Sequence, residues 1–518
     1  MNKTASILTK AAYVIALLIL CYLFLHCIHY TFSFDLWDYH SNHVHEGPDS
    51  RLKSAIVIAV TPVVFFFLGK LLFRKAAFMR EKNKRVLFLS LFVSFVVFAI
   101  CFAWVAILKV APWYDQETVY HIAQNFNEKD YFKDVTQWLY LKQYPQEFGL
   151  VFIEAILLKI WNSFFFLQFL NALFVSLAVF FSCRVCYELT ADPGASLAAL
   201  VLTSVCFPLY YYVTYVYGDI FNIFAILFVT WLSIRWLKTE NRKFIIIAIV
   251  MSIIMVPAKE NSLIFLIALA IVFTVFALKK KKALLLIPAV LMLVLPILAS
   301  KGTRAYYEHA AGQKIDNEIP SINWIVMGMR GTLEEGNGVG FFDGYVYWDW
   351  NLLHQDKEAT KQKAYSDLNS FLETYKNDPG YAYRFYRYKA LEQWAEPTFA
   401  CIYMTSPLID ENWENMDMLY KEETTLKMQW FMNMLQTIVY FFSLVFFAVS
   451  IYKEKESYGL IIAVTFIGGF LFSLLWEAGG RYVFPYFVFL IPAAANGIGM
   501  TLNKCNQLYL RYGAKYDD

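Results

Sequence analysis

Charge is what this sequence has least of. Asp, Glu, Lys and Arg make up 17% of its 518 residues, against 59% hydrophobic and 19% aromatic residues. That balance excludes an ordinary soluble globular protein and places the chain among integral membrane proteins. The net charge of +3 says little, because the Lys and Arg are clustered, and the clusters read as topology signals with no support for nucleic-acid binding. Cysteine is also scarce: eight residues, most of them inside apolar runs. Cys183 and Cys186 have CxxC spacing at the end of a span, but no second pair accompanies them, which argues against a redox or zinc role. The long polar segment near the middle holds Cys401 alone, so it has no disulfide framework; this fits a bacterial surface better than an endoplasmic reticulum lumen. A small-residue cleavage site is missing after the apolar stretch Ala11 to Ile28, so that stretch reads as an uncleaved first span. There is no solenoid-type repeat.

What is abundant is apolar sequence. Runs able to span a bilayer lie near 11–29, 53–73, 86–108, 163–183, 195–211, 220–237, 244–258, 262–278 and 283–300, and again at 430–451, 458–476 and 483–502. A span needs roughly 20 residues, fewer if its ends snorkel. The expectation is an all-α polytopic membrane protein with about twelve transmembrane helices. The basic stretches GKLLFRKAAFMREKNKR, RWLKTENRK (235–243) and KKKK (279–282), with Lys453, Lys455, Lys504, Arg511 and Lys515, mark one side as cytoplasmic. Both termini then lie inside, and 109–162, the tight loop near Asp219 and the segment 301–426 lie outside. This parity requires that FGLVFIEAILLKIW, Phe148 to Trp161, does not cross; with Glu154 and Lys159 in about 14 residues it suits an interfacial or re-entrant helix.

Four parts are expected: a two-helix extension, 1–85; a transmembrane core, 86–300, with the outer loop 109–162; an extracytoplasmic, mainly helical domain, 301–426; and C-terminal helices with a tail, 427–518. In the third, Ala359 to Tyr375 has apolar residues at helical spacing. NDPG (377–380) ends that helix and YAYRFYRYKALEQWAEP begins another, stopping at Pro397. The glycine- and aromatic-rich GMRGTLEEGNGVGFFDGYVYWDW reads as a loop over the membrane face.

Ionisable residues crowd the outer rim. APWYDQETVYHIAQNF, Ala111 to Phe126, puts Asp115 and Glu117 just past a span, beside interfacial Trp113 and Tyr114. YLKQYPQEFG adds Glu147, TYVYGD ends at Asp219, VPAKENS presents Lys259 and Glu260, and WEAGGRY presents Glu477, Arg481 and Tyr482. Singly, each is an ordinary interfacial charge. Together, acids from early loops and cations from later ones describe a site with a base and phosphate partners. His40, His43 and His45 beside Glu46 have metal-ligand chemistry, but the loop lies outside the inferred core, and a solvated loop is the default.

In the order of these features the chain resembles the GT-C superfamily of polytopic glycosyltransferases, nearest to bacterial members that decorate surface polysaccharides. The resemblance rests on Asp115 after an early span, YPQEFGLVFIEAILLKIWN, Asp219 in the next outer loop, the large outer loop, and WEAGGRYVFPY, from about residue 86 onward. It implies transfer of a sugar from a polyprenyl-phosphate carrier to an extracytoplasmic acceptor, a cell-wall polysaccharide or teichoic-acid-type glycan, at a multi-pass cell membrane. It assigns the base to Asp115. The chemistry of the cations assigns the donor phosphate to Arg481, with Lys259 and Tyr482 beside it. Some relatives bind a divalent metal between loop acids, which makes Glu117, Glu147 and Asp219 candidates for Mg²⁺ or Mn²⁺, with Glu260 and Glu477 as further metal or acceptor contacts. The alternatives are a protein O-glycosyltransferase, a flippase or transporter of lipid-linked sugars, and a multi-span polysaccharide polymerase. A flippase should carry charge midway through its spans, and these are nearly free of it. A polymerase should set arginines in two outer loops, whereas here the early acid loop dominates.

Overall fold

The computed structural model of the chain describes residues 3–34, 44–75, 82–132, 135–315, 318–331, 339–406, 420–452 and 458–513. Within them the chain is helical apart from one antiparallel hairpin, Tyr30–Phe34 paired with Val44–Pro48. His40 and His43 lie outside the described residues, as does the side chain of His45.

Among the described residues nine helices are long and apolar enough to cross a membrane: Lys3–Cys27, Arg51–Leu71, Asn83–Leu108, Phe164–Thr190, Asp219–Thr239, Ser262–Lys280, Ala283–Ala311, Glu423–Tyr452 and Gly480–Lys504. A tenth is made if Pro193–Ser204 and Pro208–Thr214 are counted as one bent span. This is the architecture of an all-α, multi-pass membrane protein. The apolar run at 195–211 therefore does not form one straight rod. Pro208 has no N–H to continue the preceding helix, and the chain bends by 51° there. Arg242–Ala258 and Leu460–Leu475 are shorter helices packed in the same bundle.

The last long helix is the hub. Its apolar window is 94% buried, whereas that of Arg51–Leu71 is 17% buried, so the first is central and the second faces outward. Close approach is allowed by Gly497, where a Cβ would fall 1.9 Å from the Phe442 carbonyl oxygen. The N-terminal helices are built into the bundle. Lys3–Cys27 packs on Glu422–Tyr452 and Leu460–Leu475. The hairpin after it is tied to the helix Pro379–Trp394 by a two-pronged ion pair, Arg387 to Glu46, at 2.6 and 3.2 Å.

The polar middle departs from its sequence reading in two places. The helix expected to end near 300 continues as Leu286–Ala311: SKGTRAYYEHAA holds no proline, the helix runs through Gly302, and it stops only at Gly312, at φ +65°. Its Tyr307 stacks on Phe126 at 3.8 Å. The aromatic end of the expected loop is also helical, as Tyr345–Leu352. The two helices expected there are present: Lys357–Asn377 is a helix capped by Asp356, and Asp378 caps the next, which ends at Trp394 before Pro397. Phe148–Leu158 is an 11-residue helix, too short to cross. It packs against Tyr114–Glu128 and wedges in tightly, since a Cβ on Gly149 would meet the Pro257 carbonyl at 2.3 Å.

Candidate functional site

The site forms where four helix ends meet: the start of Tyr114–Glu128, the start of Asp219–Thr239, the end of Arg242–Ala258 and the start of Gly480–Gly513. Asp115 is reached through a left-handed residue, Tyr114 at φ +53°, after extended Trp113. A non-glycine residue in that conformation is strained and recurs where a turn must aim a functional side chain. In the helix that follows, Gln116, Val119, Tyr120, Ile122, Ala123 and Phe126 are buried. Glu117 lies about 200° around the helix from Asp115. It is exposed and faces His121 at 3.9 Å.

Residues 213–218 are the floor. After Thr214 the backbone leaves helical geometry, and side chains from neighbouring helices satisfy the freed polar groups. Gln168 Nε2 donates to the carbonyls of Val110 (3.1 Å) and Thr214 (3.2 Å). Asn171 Nδ2 donates to those of Val213 (3.2 Å) and Tyr215 (3.1 Å). The Val216 N–H donates to Gln116 Oε1 at 2.7 Å. Gly218, at φ +77°, lets the chain pass the Ala258 carbonyl, which a Cβ would approach to 2.2 Å. The turn delivers Asp219 to Lys259, whose Nζ lies 3.0 Å from one carboxylate oxygen and 3.2 Å from the Tyr217 carbonyl. The Lys259 charge, expected at the donor phosphate, is thus already matched. It acts as a strut across the floor.

Arg481 is different. It is 8% exposed, and among the described residues no carboxylate lies within 4.0 Å of it. Its partners are neutral: the Tyr215 hydroxyl, the Tyr482 hydroxyl at 3.4 Å, and the rings of Tyr215, Tyr217 and Tyr482, each about 5 Å away. It sits in the first turn of its helix, where unpaired backbone N–H groups add positive potential. A nearly buried guanidinium whose carboxylates (Asp115, Asp219 and Glu477) act on it only from beyond contact distance is costly, and an anion in direct contact relieves that cost.

The acids around it are held toward their neutral forms. Burial raises Asp115 above the ordinary carboxylate range, opposed by the Arg481 and Lys259 charges and a hydrogen bond from Tyr140. Burial pushes Glu147 up to about 7 against the pull of Lys259, and Glu477 up to about 7 against the pull of Arg481. The Tyr482 hydroxyl donates to Glu477 Oε1 at 3.4 Å. Glu260 is exposed beside Lys259. Glu154 is 2% exposed, and neither of its oxygens has a partner among the described residues; burial pushes its carboxyl well above the ordinary value.

The structure thus brings together Asp115, Glu147, Asp219, Lys259, Glu477, Arg481 and Tyr482, and leaves Glu117 aside. Among the described residues no group of three or more His, Cys, Asp or Glu could hold a metal ion. Asp219 is taken up by Lys259 and Glu117 points elsewhere, so the donor set expected for Mg²⁺ or Mn²⁺ does not converge, and no chemistry is assigned to a metal. No family model matches the chain, and no curated protein matches it either. Sequence reasoning missed Gln116, Tyr140, Gln168, Asn171, Tyr215 and Tyr217. The amides in the run Phe164–Thr190 were a usable signal, since a polar side chain in an apolar span needs a partner.

Proposed function

We propose that this protein is a GT-C-type glycosyltransferase that moves a sugar from a polyprenyl-phosphate carrier to a glycan of the cell envelope. Arg481 carries the reading: a nearly buried guanidinium at a helix N-terminus with tyrosines and, among the described residues, no carboxylate in direct contact, and with a carboxylate of raised pKa, Asp115, across the same floor. The acceptor hydroxyl gives its proton to Asp115 as its oxygen bonds to the anomeric carbon. The bond from that carbon to the phosphate oxygen breaks, and its electron pair leaves with the phosphate. Arg481 and the helix N-terminus stabilise the charge that grows there. Lys259 and Asp219 hold the floor against which the phosphate rests.

The fuller topology belongs to the same proposal. Counting Arg242–Ala258, Leu460–Leu475 and the bent pair as crossings makes twelve spans, with both termini cytoplasmic and the site facing outward. Two observations support this. The site residues meet at one end of the bundle. The far end carries the basic loops, where Lys238 and Arg235 pair with Glu188, and Lys282 with Glu240.

The test is turnover by the purified full-length protein in detergent, given a panel of polyprenyl-phosphate sugars and envelope glycan. Release of polyprenyl phosphate coupled to sugar incorporation is expected. No release with any donor would overturn the assignment. Incorporation into protein hydroxyls in place of glycan would favour the protein O-glycosyltransferase alternative.

A further inference from the structure

Beside the floor, four aromatic rings from three separate segments meet at the edge of a small core, against which Trp324 and Tyr347 pack. Tyr144 comes from the loop 109–162, Trp324 and Tyr347 from the segment 301–426, and Trp476 from the turn before Arg481. Tyr144 lies 5.5 Å from Trp324 and 6.0 Å from Tyr347, and the two tyrosine hydroxyls are hydrogen-bonded. Trp324 and Trp476 are near-parallel, at 14° and 6.4 Å. All four remain partly exposed. The row is continuous with the site, for Tyr144 packs on Tyr140 at 4.8 Å and the Tyr140 hydroxyl meets that of Tyr217 at 2.8 Å. The charges of Asp115 and Glu477 reach both Tyr144 and Tyr347.

The row is also held rigidly. The ammonium of Lys389, fully buried, donates to the carbonyls of Trp476 (2.7 Å) and Gly328. Gly328 carries no Cβ where one would strike the Trp476 carbonyl at 2.5 Å. The N–H of Ala478 donates to the Gly340 carbonyl at 2.7 Å. Two turns of the segment 301–426, at Gly328 and Gly340, are thereby stapled to the turn that bears Trp476.

We infer that Trp324, Trp476, Tyr347 and Tyr144 form the acceptor subsite and take a pyranose ring of a glycan. A pyranose has an apolar C–H face, which suits the electron-rich face of an indole, and a rim of hydroxyls. The tyrosine hydroxyls, with the carboxylates of Asp115 and Glu477 beyond them, meet that rim. A polyprenyl tail needs an unbroken aliphatic wall, and polar groups interrupt this one. The name acceptor rests on the transferase reading; the sugar chemistry rests on the rings.

Isothermal titration of the purified full-length protein with cellotetraose, maltotetraose and chitotetraose, and separately with undecaprenyl phosphate, tests this. At least one tetrasaccharide should bind, and Trp324→Ala and Trp476→Ala should each weaken it by roughly tenfold, the worth of one aromatic stacking contact. Trp324→Phe should retain most of the affinity. Undecaprenyl phosphate should bind all three variants within about twofold of wild type, which also shows that they are folded. Failure of every tetrasaccharide to bind, undiminished binding in both Ala variants, or selective loss of undecaprenyl phosphate would overturn the subsite. Tetrasaccharide binding lost in the Ala variants, with no undecaprenyl phosphate binding to wild type, would uphold the subsite and sink the donor reading.

Discussion

Asp115 and Arg481 divide the proposed chemistry between a proton acceptor and a phosphate partner, and each can be removed alone. Asp115→Asn keeps size and hydrogen bonding but cannot take a proton. Turnover should fall about 10²–10⁴-fold, the usual worth of a general base, with the protein still monodisperse. Activity within a few-fold of wild type would return Asp115 to a packing role. Arg481→Lys keeps the charge and loses the planar fork, so polyprenyl phosphate should bind about 1–3 kcal/mol more weakly in titration. Unchanged binding would place the phosphate elsewhere. Both residues were legible in the sequence, because an ionisable group flush with an apolar run is expensive and stands out. Their relation was not. That Asp219 neutralises Lys259 while Arg481 is left with tyrosines depends on contacts between segments far apart in the chain, which no local pattern encodes.

At the scale of elements, hydropathy located the nine long apolar helices of the described residues because a bilayer demands long apolar runs, and helical spacing with the NDPG turn located the helices in the polar middle. It misread places where local and tertiary preferences part. The helix through 301–311 outlives its apolar stretch because Tyr307 finds Phe126 and Phe148 to pack against. Residues 345–352 are helical despite the glycines before them. The floor depends on Gly218, so Gly218→Ala should cost at least about 1–3 kcal/mol from the left-handed backbone alone. A lower melting temperature with loss of activity is expected; wild-type values for both would show that the turn can relax. Stability responds to pH with a definite sign. Glu147, Glu396 and Glu477 are each pushed up to about 7 by burial. The folded chain keeps their protons where the unfolded chain releases them near 4.5, so stability should fall between those values and then level. Lys389, pushed down to about 7 from 10.5, acts the other way, adding stability as pH rises through that interval. Melting temperature against pH should show both limbs. Glu396→Gln should flatten the lower one and Lys389→Met the upper one; unaltered limbs would remove these groups as the cause.

For the whole molecule, orientation decides whether the site can meet an envelope glycan at all. A cysteine placed at Asp356 should react with an impermeant maleimide applied to intact cells, and one placed at Lys281 should react only after lysis. Labelling of the Lys281 position from outside would invert the molecule and move the site to the cytoplasm. The order in which the site's parts occur along the chain also has a meaning in time. Chains are made from the N-terminus at roughly 5–20 residues per second, so Asp115 enters the membrane early, while Trp476 and Arg481 arrive with the last long helix. Until that helix seats against its neighbours, the half-made protein would have the proposed base without the proposed phosphate partner. Under the proposed function, a stalled or truncated chain would leave the supply of carrier lipid untouched, and the final stretch of synthesis would be the step that arms the site.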